Sequence, residues 1–305
     1  MSLQDYFPIS LAQLIRQVTV IKPKVVQSSG YTYILTAKGQ VLRSLNNADD
    51  AKFIPFYTEP VQDIVVDPLY HNAILITLDA KILYFDQDQS AGYLDIDDVI
   101  SIATHSENIT AVTITGNFYI YDKDKFKLVF IAEPVVMTKE VSSEEFLLLR
   151  MDGRVWRYDM NEGLISLDNV ENVIALSSHV LLRVDRRVYE LDIHEFDIQN
   201  IYKLNQQVSN VTSMGSFSDG LGFTIINLVA RSGQILRKVL TEIDYKVNKS
   251  SNWYQYKTIM VSGAVIAIAG TVAILASGQV VQSQVVRNKY VMITIPRLNI
   301  FTHHK

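Results

Sequence analysis

The feature that most constrains the fold of this chain is a hairpin pattern that occurs seven times along it. Each copy is an apolar run, a tight turn and a second apolar run, and the last turn residue is glycine in five copies. Such a turn requires a positive φ, which glycine adopts without steric cost. We use this last turn residue as the reference position of each repeat. The seven reference positions, spaced 33 to 47 residues apart, are Gly39, Ala80, Gly116, Gly153, Arg186, Gly233 and Gly278.

The side-chain pattern around the turn predicts sheets that are buried on both faces. The fourth residue before the reference position and the second and third residues after it are apolar in every copy. With a two-residue turn, the fourth residue before and the third after would share one face, and the second after would lie on the other. A sheet that is apolar on both faces must be covered on both faces. Stacked or radially packed sheets satisfy this requirement, whereas an open two-layer sandwich does not.

Further strands complete a repeat of four. One is predicted before each hairpin, most clearly in VISIATH (99–105), VIALSSH (173–179) and VIAIAG (265–270), and another between repeats, as in LVFIAE (128–133). Four strands in each repeat of about forty residues predict an all-β fold, a seven-bladed β-propeller of WD40-like architecture. A solenoid of stacked β-units is the structural alternative.

The ends of the chain are predicted to close the ring. YVMITIPRL (290–298) would return to VTVI (18–21), so that strand closure between the N- and C-terminal segments completes one blade and removes an open sheet edge. The predicted domains are an N-terminal segment with a short helix at 10–17 (residues 1–17), the propeller (18–298) and a C-terminal tail (299–305).

One segment is apolar enough to be considered as a membrane helix. No charged residue occurs from 258 to 286, and 261–281 is long enough to span a bilayer. The predominance of Val and Ile, together with Gly270 and Gly278 where turns are needed, favours buried strands instead. The N-terminus has no secretory signal and the chain has no cysteine, so we expect no membrane association and an intracellular location, cytoplasmic or nuclear.

Composition excludes several classes of function. A net charge of −4 with 48% hydrophobic residues argues against a disordered chain and against a generally basic nucleic-acid binder. The absence of cysteine excludes disulfides, thiolate nucleophiles and Cys-containing zinc sites. Asp86, Asp88 and Ser90 resemble the start of a calcium loop, but Ala91 replaces the required glycine, which favours a solvated acidic loop. No metal, no cofactor and no catalytic residue is predicted.

The repeat resembles that of the regulator of chromosome condensation family. The match is clearest in VVQSSGYTYILTAKGQVL (25–42) and in DVISIATH (98–105) with VTITGNFYIY (112–121), and it extends over residues 18 to 298. The resemblance implies a propeller that binds protein or is associated with chromatin. The family's glycine-rich stretch after each hairpin is replaced here by segments such as WRYDMNEG (156–163), so the chain resembles a divergent, trimmed member. Divergent copies also occur in large DNA viruses, in which case the protein would be a virion component.

A cluster of arginines is the candidate binding site. Arginine recurs three positions before and one position after the reference position in repeats four and five, and further arginines lie beside them. In neighbouring blades these side chains would share one rim and could hold a phosphate, a nucleic-acid backbone or an acidic partner. The candidate residues are Arg150, Arg154, Arg157, Arg183, Arg186 and Arg187. The alternative is that they pair with carboxylates close by in the sequence: Asp152, Asp159, Asp185 and Glu190.

These observations predict a non-catalytic protein-binding scaffold whose partner is recognised by loops on one face, because propeller loops vary without disturbing the blades. The alternative is nucleic-acid or nucleoprotein binding, to chromatin or within a virion, through the arginine rim. An enzyme with its active site at the mouth of the channel and a membrane-anchored protein are further alternatives. The sequence does not specify an oligomeric state.

Overall fold

The computed structural model is entirely β within the residues that it describes. These are 21–46, 52–68, 72–86, 88, 90–122, 125–142, 144–167, 170–178, 180–185, 188–191, 201–203, 211–218, 224–240, 257–286 and 289–301. Seven four-stranded antiparallel sheets are each built from four strands that are consecutive in the sequence, and neighbouring sheets pack in a ring. The predicted seven-bladed β-propeller is therefore confirmed. The short helix predicted at 10–17 lies outside the described residues.

Within each blade the first strand lies innermost and the fourth outermost. Blade 1 comprises β1 (Lys24–Gln27), β2 (Tyr31–Leu35), β3 (Val41–Leu45) and β4 (Ile54–Tyr57), and blade 2 comprises β5 (Val61–Val66), β6 (Ala73–Thr77), β7 (Ile82–Phe85) and β8 (Ala91–Leu94). Blade 3 comprises β9 (Val99–His105), β10 (Asn108–Thr113), β11 (Phe118–Asp122) and β12 (Lys125–Val129). Blade 4 comprises β13 (Val135–Glu140), β14 (Glu145–Arg150), β15 (Val155–Asp159) and β16 (Gly163–Ser166).

Blade 5 comprises β17 (Val173–Leu176), β18 (Val180–Arg183), β19 (Val188–Leu191) and β20 (Ile201–Lys203). Blade 6 comprises β21 (Val211–Ser218), β22 (Thr224–Ala230), β23 (Ile235–Leu240) and β24 (Lys257–Ile259). Blade 7 comprises β25 (Val265–Ala269), β26 (Val272–Leu275), β27 (Gln279–Val286) and β28 (Lys289–Asn299). The long uncharged segment at 261–281 thus forms β25, β26 and the start of β27, which confirms its interpretation as strands. No helix in the described part of the chain is long and apolar enough to cross a membrane.

The hairpin turns that the structure describes in full contain three loop residues rather than the predicted two, and the turn of blade 5 includes residues outside the described ranges. In blade 1 the Gly39 N–H donates to the Thr36 carbonyl at 3.0 Å, and the Thr36 N–H donates to the Gln40 carbonyl at 2.9 Å. This is a type I turn followed by a left-handed residue that forms a bulge. The reference glycines have φ of 79° to 84°, and Ala80 adopts the same region with φ of 62°.

The extra loop residue changes the register, so the face assignment predicted from the sequence is wrong by one residue. The fourth residue before the reference position pairs directly with the second after it, from Leu35 with Val41 in blade 1 to Ile274 with Val280 in blade 7. Both members of this pair are buried in all seven blades. The third residue after the reference position lies on the other face. The broader prediction, that both faces of each sheet are covered, is confirmed by strands such as β14, in which every residue is buried.

The core is divided among the interfaces between blades. One apolar cluster fills each of the seven interfaces, including that between blade 7 and blade 1, where Val25 and Ile34 pack with Ala267 and Ile274. This contact joins blades 7 and 1 by side-chain packing. Among the described residues β28 pairs with β27 and forms one isolated parallel bridge, from Val291 to Met260 just after β24. The predicted strand closure between the terminal segments stays a prediction. Of its N-terminal partner, 18–21, only Ile21 lies within the described residues.

Backbone hydrogen bonds also join successive blades. In blades 1 to 4 the carbonyl of the reference residue accepts a hydrogen bond from the first residue of the next inner strand. The pairs are Gly39 with Val61 (3.0 Å), Ala80 with Val99 (2.9 Å), Gly116 with Val135 (3.0 Å) and Gly153 with Val173 (2.9 Å). Within blade 7, the Ile300 N–H donates to the Gly278 carbonyl at 2.9 Å. Ile300 is buried, so the packed structure extends past residue 298, where the propeller was predicted to end.

Candidate interaction surface

The two faces of the ring are built differently. The hairpin face carries the turns at the reference positions and the connections that lead into each next blade. The opposite face carries the turns between the first and second strands and between the third and fourth strands of each blade. Because strand direction alternates within a blade, every residue is assigned to one end by its place in its strand. The predicted arginine rim divides between these two faces.

Arg150 lies at the hairpin face of blade 4 but its side chain is only 6% exposed. Its guanidinium forms ion pairs with Glu133 and with Asp152 (3.1 Å), and it lies over the ring of Trp156 at 5.2 Å from the centroid. Stacking on an aromatic face and pairing with carboxylates are both favourable for a planar guanidinium. The position equivalent to Arg150 in blade 1 is occupied by Thr36, whose hydroxyl oxygen accepts a hydrogen bond from the Gln40 N–H within the turn. Arg150 is therefore committed to contacts within the protein.

Arg154 is the most exposed described member of the rim, with 57% of its side chain accessible. Its Nε lies 3.8 Å from Asp152 and 3.6 Å from Glu171. Pairs of this length between exposed side chains contribute little to stability. In the next blade, Arg183 donates a hydrogen bond from Nη1 to the Tyr189 hydroxyl at 2.8 Å, and its guanidinium lies over that ring. The predicted Arg186 and Arg187 lie outside the described residues.

Arg157 does not belong to this rim, because it points toward the opposite face of blade 4. Its partners there are Glu145 at 3.0 Å, Glu162 at 3.2 Å and Asp159 at 3.8 Å. Burial raises the pKa of Glu145 despite the neighbouring Arg157 cation, and nearby carboxylates add to that shift. This cluster contributes to the packing of the blade. The structure thus brings Arg150 and Arg154 together in blade 4, with Arg183 on the same face of blade 5.

The rim at blades 4 and 5 is mixed in charge rather than basic. Glu133, Asp152 and Glu171 stand among its arginines, and two of these carboxylates are more than half exposed. A surface of this composition resembles the polar rim of a protein interface, where charges of both signs surround apolar contacts.

Exposed apolar side chains on the same face were missed by the sequence analysis. Two positions before the reference position, Leu78, Met151 and Val184 are 45%, 71% and 61% exposed. Their turns are anchored, since the Met151 and Val184 N–H groups donate to the carbonyls of the connections that precede their blades. Phe130, in the connection between blades 3 and 4, is 82% exposed. Large apolar groups held in the open on one face are typical of binding surfaces.

A bulge in the inner strands adds to this apolar surface. The pairing register of the first strand skips one residue in blades 2 to 7. The skipped residues include Ile100, Ile174 and Ile266, each about 40% exposed. The repeated Val-Ile pair at the start of these strands was visible in the sequence. Two consecutive apolar residues interrupt strict alternation, and this was the available indication of a bulge.

The central channel holds a cavity of about 240 Å³ lined by inner strands. Lys24 forms an ion pair with Asp63 at 2.7 Å, and burial lowers the pKa of Lys24. Lys139, Glu140 and two serines also line the cavity. No group of three or more His, Asp or Glu side chains that could hold a metal ion occurs among the described residues.

Comparisons with known proteins support the fold alone. No known family model and no curated protein matches the sequence. The β-propeller domain of Cps50 (Swd1) from Myceliophteria thermophila superposes with a TM-score of 0.56 at 9% identity, over 78% of this chain and 87% of that domain. The computationally designed Ika8 protein gives 0.54 at 12% identity, over 89% and 86% of the two chains.

A third similarity is weaker. PorZ, an essential surface component of the type-IX secretion system of Porphyromonas gingivalis, gives a TM-score of 0.44 at 10% identity over 88% of this chain. The chain covers only 42% of PorZ, and this similarity supports no functional argument.

The class of protein defined by the fold is the seven-bladed β-propeller of WD40-like architecture, a class that commonly serves as a scaffold for protein interactions.

Proposed function

We propose that this protein is a non-catalytic scaffold that binds a protein partner through its hairpin face, centred on blades 4 and 5. The observation that carries the proposal is the group of exposed apolar side chains on that face, with Met151 and Val184 at equivalent positions in neighbouring blades. Burying them against a partner would remove apolar surface from water, which is the main favourable term in association. The turns that carry them are fixed by backbone hydrogen bonds, so little conformational entropy is lost on binding.

The charges around these side chains support a protein as the partner. Arg154 and Glu171 are equally exposed and of opposite sign. A nucleic-acid backbone would be attracted by the arginine and repelled by the carboxylates Glu133, Asp152 and Glu171. The resemblance to the regulator of chromosome condensation family agrees with a chromatin-associated protein as the partner, and nucleic-acid binding through the arginine rim is the alternative outcome of the test.

The test is a pull-down of the folded protein from lysate of its native host, at low and at high salt and with nuclease treatment. The wild type is compared with the Met151→Glu/Val184→Glu double variant, which places charge within the apolar surface. The matched control is Leu128→Glu, a residue 54% exposed on the outer strand β12.

A stoichiometric protein that survives nuclease, that is lost with the double variant and retained with the control, is the expected result. Recovery of nucleic acid alone, released at high salt and reduced by Arg154→Gln, would replace this proposal with the arginine-rim alternative. Equal capture by the wild type and the double variant would show that the hairpin face at blades 4 and 5 is not the binding surface.

A further inference from the structure

A second cavity, of about 390 Å³, lies on the opposite face where blades 2, 3 and 4 meet. Its apolar and aromatic lining comes from Tyr84, Leu94, Tyr121 and Met160. The first three pack against the buried cluster between blades 2 and 3, and Met160 packs against the cluster between blades 3 and 4. These walls are therefore held in place by the core itself, so the cavity is formed before any ligand arrives.

The polar lining of the cavity is acidic. Glu107, in the turn between β9 and β10, is exposed and adopts a positive φ of 70°. Its backbone N–H donates to a carboxylate oxygen of Asp67 at 3.2 Å, which fixes the turn. Within the described part of the chain its own carboxylate has no hydrogen bond or ion pair. Asp122 also lines the cavity and forms an ion pair with Lys127.

The side chains around Tyr84 also make this part of the cavity negatively charged. Burial raises the pKa of the Tyr84 phenol, and the carboxylates of Asp86, Glu107 and Asp67 raise it further. Negative charge disfavours a phenolate and favours a cation in the same place. The electron-rich faces of two tyrosine rings beside a carboxylate are groups that bind an ammonium or guanidinium.

We propose that this cavity binds the side chain of a lysine or arginine presented by a basic segment of a protein partner. The volume is near the lower end of the range of small-molecule sites, roughly 300 to 1,000 Å³, so it suits one extended side chain rather than a folded element. The stem of the side chain would lie against Leu94 and Met160, and its charged end would meet the tyrosine rings and Glu107. An anionic group would instead meet carboxylates on several sides.

The charge around the cavity fits a basic segment rather than a single isolated cation. On the same face, blade 4 carries Glu144, Asp159 and Glu162. Arg157 pairs with the last two, so the carboxylates outnumber this cation, and Glu162 is 66% exposed at the side chain. Positive residues flanking the inserted side chain would lie close to these carboxylates and speed the encounter. This site is separate from the hairpin face, so its existence does not depend on the function proposed for that face.

The test is fluorescence anisotropy with labelled peptides of alternating Lys and Gly, or Arg and Gly, and an acidic peptide of alternating Glu and Gly as the negative probe. We expect the wild-type protein to bind the basic peptides only. Glu107→Gln is expected to weaken binding about fivefold, by loss of one exposed charge pair. Adding Tyr121→Leu is expected to weaken it about twentyfold in total, because one cation–π contact is also lost.

The matched control is Glu171→Gln, which makes the same charge change on the hairpin face at a residue with a 57% exposed side chain. Equal weakening by Glu171→Gln and Glu107→Gln would show that the peptides are attracted by net charge alone and would overturn the proposal. Absence of binding by the wild type would also overturn it. If the variant with Tyr121→Leu fails to fold, Glu107→Lys replaces it in the test, because Glu107→Lys changes only an exposed side chain. Retained binding of the basic peptides by Glu107→Lys would contradict the proposed site.

Discussion

The hairpin face and the opposite face are held together by different kinds of contact. On the hairpin face, a backbone hydrogen bond to the reference residue joins each of blades 1 to 4 to the blade that follows it. On the opposite face, one backbone hydrogen bond, from the Ser29 N–H to the Pro68 carbonyl at 3.1 Å, joins blades 1 and 2, and side chains join other blades. Arg237 of blade 6 donates to the carbonyl of Gly270 in blade 7 at 2.7 Å, and the Thr271 N–H donates to Gln27 of blade 1 at 3.3 Å.

This difference separates recognition from stability. Side chains on the hairpin face are not needed to hold the ring, so exposed groups such as Met151 are available to contact a partner. Side chains on the opposite face contribute to stability between blades, as Arg237 does, and within a blade, as Arg157 does with Glu145 in blade 4. Side-chain substitutions should therefore affect stability mainly on the opposite face, and capture of the protein partner proposed for the hairpin face mainly on that face.

The largest effect on stability is expected from Arg237→Met. Arg237 is 3% exposed and donates to Asn227 at 2.8 Å, to Ser283 at 2.7 Å and to the Gly270 carbonyl. Removing it leaves the buried Asn227 Oδ1 without this donor and takes one of two donors from the Gly270 carbonyl, so the free energy of unfolding should fall by about 3 kcal/mol. Urea denaturation monitored by circular dichroism measures this. The control is Arg154→Met on the hairpin face, and an equal loss in both variants would contradict the contrast between the faces.

A smaller effect is expected at the reference positions, where the backbone matters and not the side chain. In Gly116→Ala the new Cβ would overlap Pro134 and strain a residue with φ of 82°, so unfolding should become easier by about 2 kcal/mol. The converse change, Ala80→Gly, relieves a left-handed alanine and should stabilise the protein by up to about 1 kcal/mol. Thermal melts of both variants provide the comparison, and changes of the same sign would exclude a role for positive φ.

The pH dependence of stability should include a contribution from Glu145. Its pKa is raised above the ordinary 4.5 by burial, so in that window the native state holds a proton that the unfolded chain has released. The contribution of Glu145 to the free energy of unfolding therefore falls as pH rises from 4.5 through the raised pKa. Glu145→Gln should remove this fall while preserving an acceptor for Arg157. Melting temperatures measured across acidic pH test this, and identical pH profiles for the two proteins would contradict it.

The smallest effect on stability is expected from Met151→Glu. The side chain is 71% exposed, and surface substitutions of this kind change stability by no more than about 0.5 kcal/mol. Its melting temperature should match that of the wild type while partner capture is lost. A large drop in melting temperature would mean that the hairpin face is structural after all.

Much of the fold could be predicted because the same pattern of apolar and turn residues occurs in seven repeats. The apolar pairs and the reference glycines identified seven hairpins and the propeller. The register failed by one residue because a two-residue and a three-residue turn both place glycine last, and only the hydrogen bonds of Thr36 distinguish them. The strand closure predicted for 290–298 stays a prediction, and the described contact between the first and last blades is the packing of Val25 against Ala267.

The candidate site was predictable only in part. Sequence spacing placed Arg150 and Arg154 at one turn and Arg183 at the equivalent turn of the next blade. It did not reveal that Glu133, from the preceding connection, pairs with Arg150, because this contact depends on how the connection returns to the blade. The exposed Met151 and Val184 were missed for a related reason, since an apolar residue in a turn has no periodicity that indicates whether it is buried.

The central claim is that the hairpin face at blades 4 and 5 contacts a protein partner. Its most direct test replaces Met151 with a photo-crosslinking amino acid and, in a separate variant, Leu128 on the outer strand of blade 3. After irradiation in the native host, we expect a discrete crosslinked protein band from position 151 and none from position 128. Crosslinking from position 128 alone, or to nucleic acid rather than protein at position 151, would contradict the account.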